Sequence, residues 1–166
     1  LVTIERVRVL AEGAAALAVY GTPGEPCGVL DIGWHTADVA WFDRNGKIVR
    51  DKSGSMSRVG MERVGEILSS NFRRQHGRLL HADEVALIFD RFVAGEYFTT
   101  IYHSGKCPVS ADDVKAAIRG VAASLENFLM LKWGGKDGSV AADASVVLLI
   151  GGGPLSMKSS FRLSVS

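Results

Sequence analysis

The sequence is poor in the residues that mark several classes of protein. It has two cysteines and four prolines in 166 residues. Cys27 and Cys107 lie outside any metal-ligand spacing, so two reduced thiols in a cytoplasmic protein are expected rather than a disulfide. The four histidines are never three or four residues apart, so a zinc site is not expected.

Net charge and long apolar runs are lacking too. The formal net charge is +1, so no global field indicates nucleic acid or an acidic membrane as the partner. No apolar run reaches the roughly 18 residues of a membrane span, and no signal peptide opens the chain. With 47% hydrophobic residues, the sequence predicts one globular domain over residues 1–166. Because it starts at Leu1 without methionine, we expect this domain to be a piece of a longer protein.

The hydrophobic pattern predicts an α/β order. An extended piece at 7–10 precedes an alanine-rich helix at 11–21 that ends at Gly21. Strands at 27–32, 37–42 and 47–52 form an antiparallel meander, with turns after Asp31 and at 43–46. Two helices follow, at 57–77, ending at Gly77, and at 81–92. A hairpin with its turn at Ser104-Gly105 and a long helix from a Ser110 cap to about Trp133 come next. We expect about 78–108 to be an insertion.

The last pattern is the continuous apolar run Ser145–Ile150, which is typical of a central strand buried on both faces. Following a crossover helix, it should pair parallel to the first strand of the meander. Asp31 and Gly151 would then lie side by side at the carboxyl ends of adjacent strands, where open α/β sheets bind ligands. Residues 155–166 leave room for a helix and a last strand.

Two glycine turns lie at this predicted edge. Glycine lets a phosphate approach backbone N–H groups closely, and residues 33–36 would supply such groups with the Thr36 hydroxyl. Asp31 beside them favours a hydrated Mg²⁺ between carboxylate and phosphate, with Asp38 fixing the turn. The alternative is that both aspartates only cap a tight turn. The turn at Gly151 is either loop material or the start of a helix whose amino end faces the ligand.

The residues at these turns resemble motifs of the actin, sugar kinase and heat-shock chaperone superfamily. "DIGWHTAD" (31–38) is similar to its second phosphate motif, D-x-G-x-x-T-x-D, and "LLIGGGP" (148–154) to its adenosine motif. "RVGMERV" (58–64) resembles the segment that connects them. With "VLAEGAAALAVYG" (9–21), the chain most resembles the second domain of plasmid-segregation actins of the ParM/StbA type.

This resemblance implies a ribonuclease H-like α/β domain, in which parallel strands continue a three-stranded antiparallel meander and helices cover both faces. It implies ATP or GTP with Mg²⁺ as ligands. The metal would be held through water by Asp31, supported by Asp38. The residues implied for the phosphates are Gly33, Trp34, His35 and Thr36, and those implied for adenosine are Gly60, Glu62, Gly151, Gly152, Gly153 and Pro154. No catalytic residue is assigned, because in this family the water-activating residue comes from a first domain with no counterpart before Leu10.

Trp34 and His35 stand where the chaperone relatives have glycines. The sequence leaves open whether Trp34 is a core residue or packs at the cleft or against a neighbour, and whether His35 reaches a phosphate or is an exposed turn residue.

Three functions also remain open. The first is half of a filament-forming ATPase for plasmid segregation or the bacterial cytoskeleton. Its partners would be the nucleotide, the missing first domain and further copies, with no direct contact to nucleic acid or membrane, and this part alone is expected to be inactive. The second is a domain of a small-molecule kinase of the same superfamily. The third is a non-catalytic interaction domain.

Overall fold

A mixed sheet with helices on both faces organises the chain. The computed structural model describes residues 12–95, 98–102, 105–135, 138–139 and 143–152. Its elements in chain order are α1 (Glu12–Tyr20), β1 (Cys27–Ile32), β2 (Thr36–Phe42), a 3-10 turn (Arg50–Lys52), β3 (Gly54–Ser57), α2 (Met61–His76), α3 (Ala82–Val93), β4 (Phe98–Tyr102), β5 (Gly105–Val109), α4 (Ala111–Trp133), β6 (Gly134–Gly135), β7 (Gly138–Ser139) and β8 (Val146–Ile150).

The main sheet has the strand order β3-β2-β1-β8. β1 pairs antiparallel with β2 and parallel with β8, in a register that runs from Cys27 opposite Val146 to Asp31 opposite Ile150. The predicted meander of β1 and β2 and the predicted parallel pairing of the first and last apolar strands are therefore confirmed.

Alternate residues of β1 face two different layers, as the two-residue period of a strand requires. Cys27 and Val29 pack with Ala16 of α1, whereas Leu30 and Ile32 belong to the larger core shared with α2, α3 and α4. The predicted helices on both faces are confirmed. Cys27 is a free, buried thiol, and burial raises its pKa, so it stays protonated near neutral pH.

Local signals placed the end of α2 and the start of α4 correctly. The predicted helix start at residue 57 is wrong, because Ser57 is the last residue of β3 and α2 begins at Met61. Gly77 ends α2 in the left-handed region, with φ of 78°, where glycine is favoured. Ser110 caps α4, and its side chain accepts a hydrogen bond from the Asp113 N–H. At the turn after β2, Asp43 Oδ1 accepts from the N–H groups of Lys47 and Asn45. The hydrogen bond from the Lys47 N–H is the largest of the effects that lower the pKa of Asp43.

The third strand is not where the sequence predicted it. Residues 47–52 contribute one isolated bridge, Ile48 to Phe42, and β3 begins only at Gly54. Between them the Ser53 hydroxyl accepts from the Trp41 N–H at 3.0 Å and donates to Val49 O at 2.8 Å. These side-chain bonds replace the strand ladder, so the chain leaves the sheet and rejoins it at Gly54, seven residues after the predicted strand start at Lys47.

β8 also differs from its prediction. In the described part of the chain it is the outermost strand, and Leu149 is 42% exposed. The prediction that this strand is central and buried on both faces is therefore wrong for the described residues. A short apolar run does not by itself distinguish a central strand from an outer one. The expected extended piece at 7–10 and the expected helix and strand at 155–166 lie outside the described residues.

α3 and the β4–β5 hairpin occupy the range of the predicted insertion. Ile88 and Phe89 of α3 belong to the main core, so this helix shares the core of the sheet layer. Gly105 pairs with Tyr102 as the first residue of β5, and Ser104 of the predicted turn lies outside the described residues. None of the described helices is both long and apolar enough to cross a membrane.

Candidate nucleotide site

The carboxyl ends of β1 and β8 meet at one edge of the sheet. A Cβ atom on Gly151 would overlap Asp31 Oδ1 and lie 2.5 Å from Ile32 O, and the φ of Gly151 is +90°. Only glycine fits this position. The predicted approach of Asp31 and Gly151 is confirmed, while a Cβ on Gly152 would meet nothing within 4 Å. Gly153 and Pro154 lie outside the described residues.

The turn between β1 and β2 is fixed by the start of α2. Within the turn, the Gly33 N–H donates to Thr36 O at 2.9 Å. Three consecutive turn carbonyls accept from the segment leading into α2: Gly33 O from Met61 N at 3.2 Å, Trp34 O from Glu62 N at 2.9 Å, and His35 O from Arg58 N at 2.9 Å. One side of the turn is therefore saturated with hydrogen bonds.

The N–H groups of Trp34 and His35 lie on the other side. In a planar trans peptide the N–H is opposite the carbonyl of the preceding residue. Because Gly33 O and Trp34 O both face α2, these two N–H groups face away from it, and neither has an acceptor among the described residues. Adjacent free N–H groups in a turn form a concavity that binds anions. Gly33 does not supply a third N–H group for an anion, because its N–H is bonded to Thr36 O within the turn.

Two carboxylates lie beside this turn. Asp31 and Asp38 are directly opposite in the β1–β2 register, so their side chains share one face of the sheet. Asp31 is 8% exposed, Asp38 is exposed, and Asp38 Oδ2 accepts from the Thr36 hydroxyl at 3.1 Å. That bond uses the Thr36 proton, which leaves its hydroxyl oxygen as an acceptor only.

The donor set fits Mg²⁺. Carboxylates directly opposite on neighbouring strands repel each other, and a divalent cation relieves that repulsion. No group of three or more metal-binding side chains occurs among the described residues. Mg²⁺ does not need one, because it is usually held by one or two carboxylates with water and substrate phosphates completing its shell.

Gly60 and Glu62, which the resemblance implied for adenosine, lie against the turn. A Cβ on Gly60 would overlap Trp34 O and lie 2.6 Å from Gly33 O, so glycine lets α2 start directly on the turn. Glu62 Oε2 lies 2.8 Å from His35 Nδ1. Their contact with adenosine remains a prediction.

We expect Gly60→Ala to lower the free energy of unfolding by about 1–3 kcal/mol, the usual range for overpacking. The new methyl group would meet backbone atoms of the turn, which cannot rotate away. Urea unfolding followed by circular dichroism measures the change.

Gly120→Ala in α4 is the matched control. Its Cβ would lie 3.5 Å from Ile67 Cδ1, an ordinary contact, and alanine is favoured over glycine inside a helix. Equal stability of the two variants would show that α2 does not rest on the turn as described.

Trp34 is 49% exposed, so the core interpretation of this residue is wrong. It lies in the turn between β1 and β2, whose carbonyl groups bond the segment that leads into α2. Trp34 lines an open cavity of about 530 Å³ along α2 and the start of α3. The other lining residues are Glu62, Arg63, Gly65, Glu66, Ser69, Ser70, Leu79, Leu80, Ala82 and Val85.

Sequence reasoning passed over the start of α1. A Cβ on Gly13 would lie 3.3 Å from Ala40 Cβ and 3.7 Å from Val29 Cβ. Val29 and Ala40 are paired on the same face of the sheet as Asp31 and Asp38, two residues away along each strand. The amino end of α1, with its partial positive charge, therefore lies towards the site. In the sequence, the amino end of this helix is marked by Glu12, the one acidic residue of an otherwise apolar helix.

Comparison with protein families gave a match over most of the chain. The model of the family described as "Archaeal actin homologue MreB-like, C-terminal" matches residues 29–162. This range includes Asp31, the turn at 33–36, the start of α2 and the glycines at 151–153. A search of curated proteins found no match.

Solved structures share the fold. Ta0583, an archaeal actin homologue, is 17% identical with a TM-score of 0.72, over 90% of this chain and 44% of that one. Its complex with ADP is 19% identical with a TM-score of 0.69, over 90% and 46%. A 15-stranded ParM filament from Clostridium botulinum is 14% identical with a TM-score of 0.68, over 92% and 42%. The chain thus spans less than half the length of these proteins.

Proposed function

The chain belongs to the MreB-like archaeal actin homologues, of which it matches the C-terminal part, and from this we propose that it is the nucleotide-binding second half of an actin-like ATPase. The observation that carries the proposal is the pair of N–H groups at Trp34 and His35, which have no acceptor in the part of the chain that the structure describes, beside the carboxylate of Asp31 and the close approach of Gly151. Hydrogen-bond donors for an anion, a carboxylate for a metal and an open glycine backbone meet at one sheet edge.

Each part has one chemical task. The N–H groups of Trp34 and His35 bind phosphate oxygens. Asp31, supported by Asp38, holds a hydrated Mg²⁺, which when bound neutralises phosphate charge. The backbone at Gly151 and Gly152 lets adenosine approach closely, together with Gly153 and Pro154. In this arrangement phosphoryl transfer depends on positioning and charge rather than on a nucleophile of this chain.

The whole protein's activity goes further than this half of the site. We propose that it hydrolyses ATP or GTP in a cleft closed by a first domain and assembles into filaments in the cytoplasm, for plasmid segregation or as a cytoskeleton. The ADP complex of Ta0583 and the filament of C. botulinum ParM support nucleotide binding and assembly by analogy of fold. Half a cleft leaves the phosphates open to water, so this chain alone should bind weakly and hydrolyse little.

Calorimetric titration of ATP, GTP and adenosine, each with and without Mg²⁺, tests the proposal. We expect weak binding of the triphosphates that requires Mg²⁺ and weaker binding of adenosine, which lacks the phosphates. Circular dichroism of the same sample shows that the chain is folded. A folded chain with no response to millimolar ATP and Mg²⁺ would refute the proposal and favour the non-catalytic interaction domain.

A further inference from the structure

The imidazole of His35 is held in place from α2. His35 Nδ1 lies 2.8 Å from Glu62 Oε2, although both side chains are largely exposed, at 67% and 44%. Glu62 is also the residue whose N–H donates to Trp34 O. The backbone and the side chain of one helical residue therefore contact two adjacent residues of the turn.

Glu62 is well placed to keep this contact. It lies in the first turn of α2, where the helix dipole stabilises a carboxylate. The Arg58 N–H bond to His35 O and the close fit of Gly60 fix the distance between turn and helix. The backbone thus places the two side chains within reach of each other.

A carboxylate that accepts from Nδ1–H determines which ring nitrogen remains available. It fixes the histidine tautomer and leaves Nε2 for another ligand. When the ring carries a proton on both nitrogens, Nε2–H is a charge-assisted donor suited to phosphate. His35 therefore combines two groups. Its backbone N–H has no acceptor among the described residues, and its ring has an Nε2 atom whose opposite nitrogen is already bound to Glu62.

We propose that Glu62 is a positioning residue that holds the His35 imidazole for contact between Nε2 and the phosphate bound at the N–H groups of Trp34 and His35. This inference rests on the proposed function, and it gives Glu62 a role in phosphate binding in place of the adenosine contact. Glu62 itself touches no phosphate.

Affinity measurements on variants test both residues. We expect His35→Ala to weaken Mg²⁺–ATP binding about tenfold and Glu62→Ala about threefold or more, in line with loss of a charge-assisted hydrogen bond, with adenosine binding unchanged. Glu126→Ala removes an exposed carboxylate from α4 and should match the wild type. Thermal melts should be similar for all four proteins, because the altered side chains are exposed.

The ring nitrogens of His35 give a readout that a purely structural role would not move. In two-bond ¹H–¹⁵N spectra, ATP with Mg²⁺ should shift the Nε2 signal of His35, adenosine should not, and the ring signals of His76 should stay unchanged. In Glu62→Ala the shift on adding ATP should be smaller.

Each outcome has one meaning. Wild-type binding with variants equal to Glu126→Ala overturns this inference and leaves the proposed function intact. A loss in His35→Ala without one in Glu62→Ala refutes the positioning role of Glu62. Absence of ATP binding by the folded wild type overturns the proposed function and this inference together.

Discussion

Trp133→Ala is expected to lower the free energy of unfolding by about 3–5 kcal/mol, the usual range for removing a buried tryptophan. Trp133 is 2% exposed, and its ring meets that of Trp41 edge to face with centroids 5.7 Å apart. It also fills the space above Gly28, where a Cβ would lie 3.1 Å from the indole. Its Nε1–H donates to Lys52 O at 2.8 Å.

Urea unfolding measures this loss, with Met130→Ala as the control on the same helix. Met130 is 68% exposed, so its replacement should change stability by less than about 0.5 kcal/mol. Trp133→Phe keeps an aromatic ring but removes the hydrogen bond, and should fall between the two. If Trp133→Ala and Met130→Ala were equally stable, the indole would not join α4 to the sheet.

Asp31→Ala is expected to abolish the magnesium dependence of ATP binding. The affinity with Mg²⁺ should drop to the value that the wild type shows without Mg²⁺, because the carboxylate that holds the hydrated ion is gone. Asp38→Ala should retain part of the dependence, since Asp38 is assigned a supporting role. Calorimetric titration of wild type and both variants, with and without Mg²⁺, measures the difference.

A thermal melt separates this effect from unfolding. The apolar cores on both faces of the sheet do not include Asp31, so the variant should stay folded. A variant that unfolds, in a protein whose wild type shows no nucleotide response, would make Asp31 a structural cap and refute its role as a metal ligand.

The sequence by itself determined the features that depend on neighbouring residues. Gly77 ends α2 and Ser110 starts α4 because each supplies a backbone angle or a capping oxygen that its own position requires. The apolar run at 146–150 after a long helix was sufficient to predict its parallel pairing with β1. The spacing of Asp31, Gly33, Thr36 and Asp38 indicated the edge where the candidate site lies and, with the other motifs, the actin-like superfamily.

Tertiary structure decided what depends on distant partners. The 3-10 turn before β3 is bonded by the indole of Trp133, which lies 81 residues away from Lys52 in the sequence. Glu62 meets His35 across 27 residues because α2 begins directly on the turn, and that same packing turns two N–H groups away from the helix. Spacing and periodicity report the conformation of a few adjacent residues, whereas these contacts exist only after the helices have packed on the sheet.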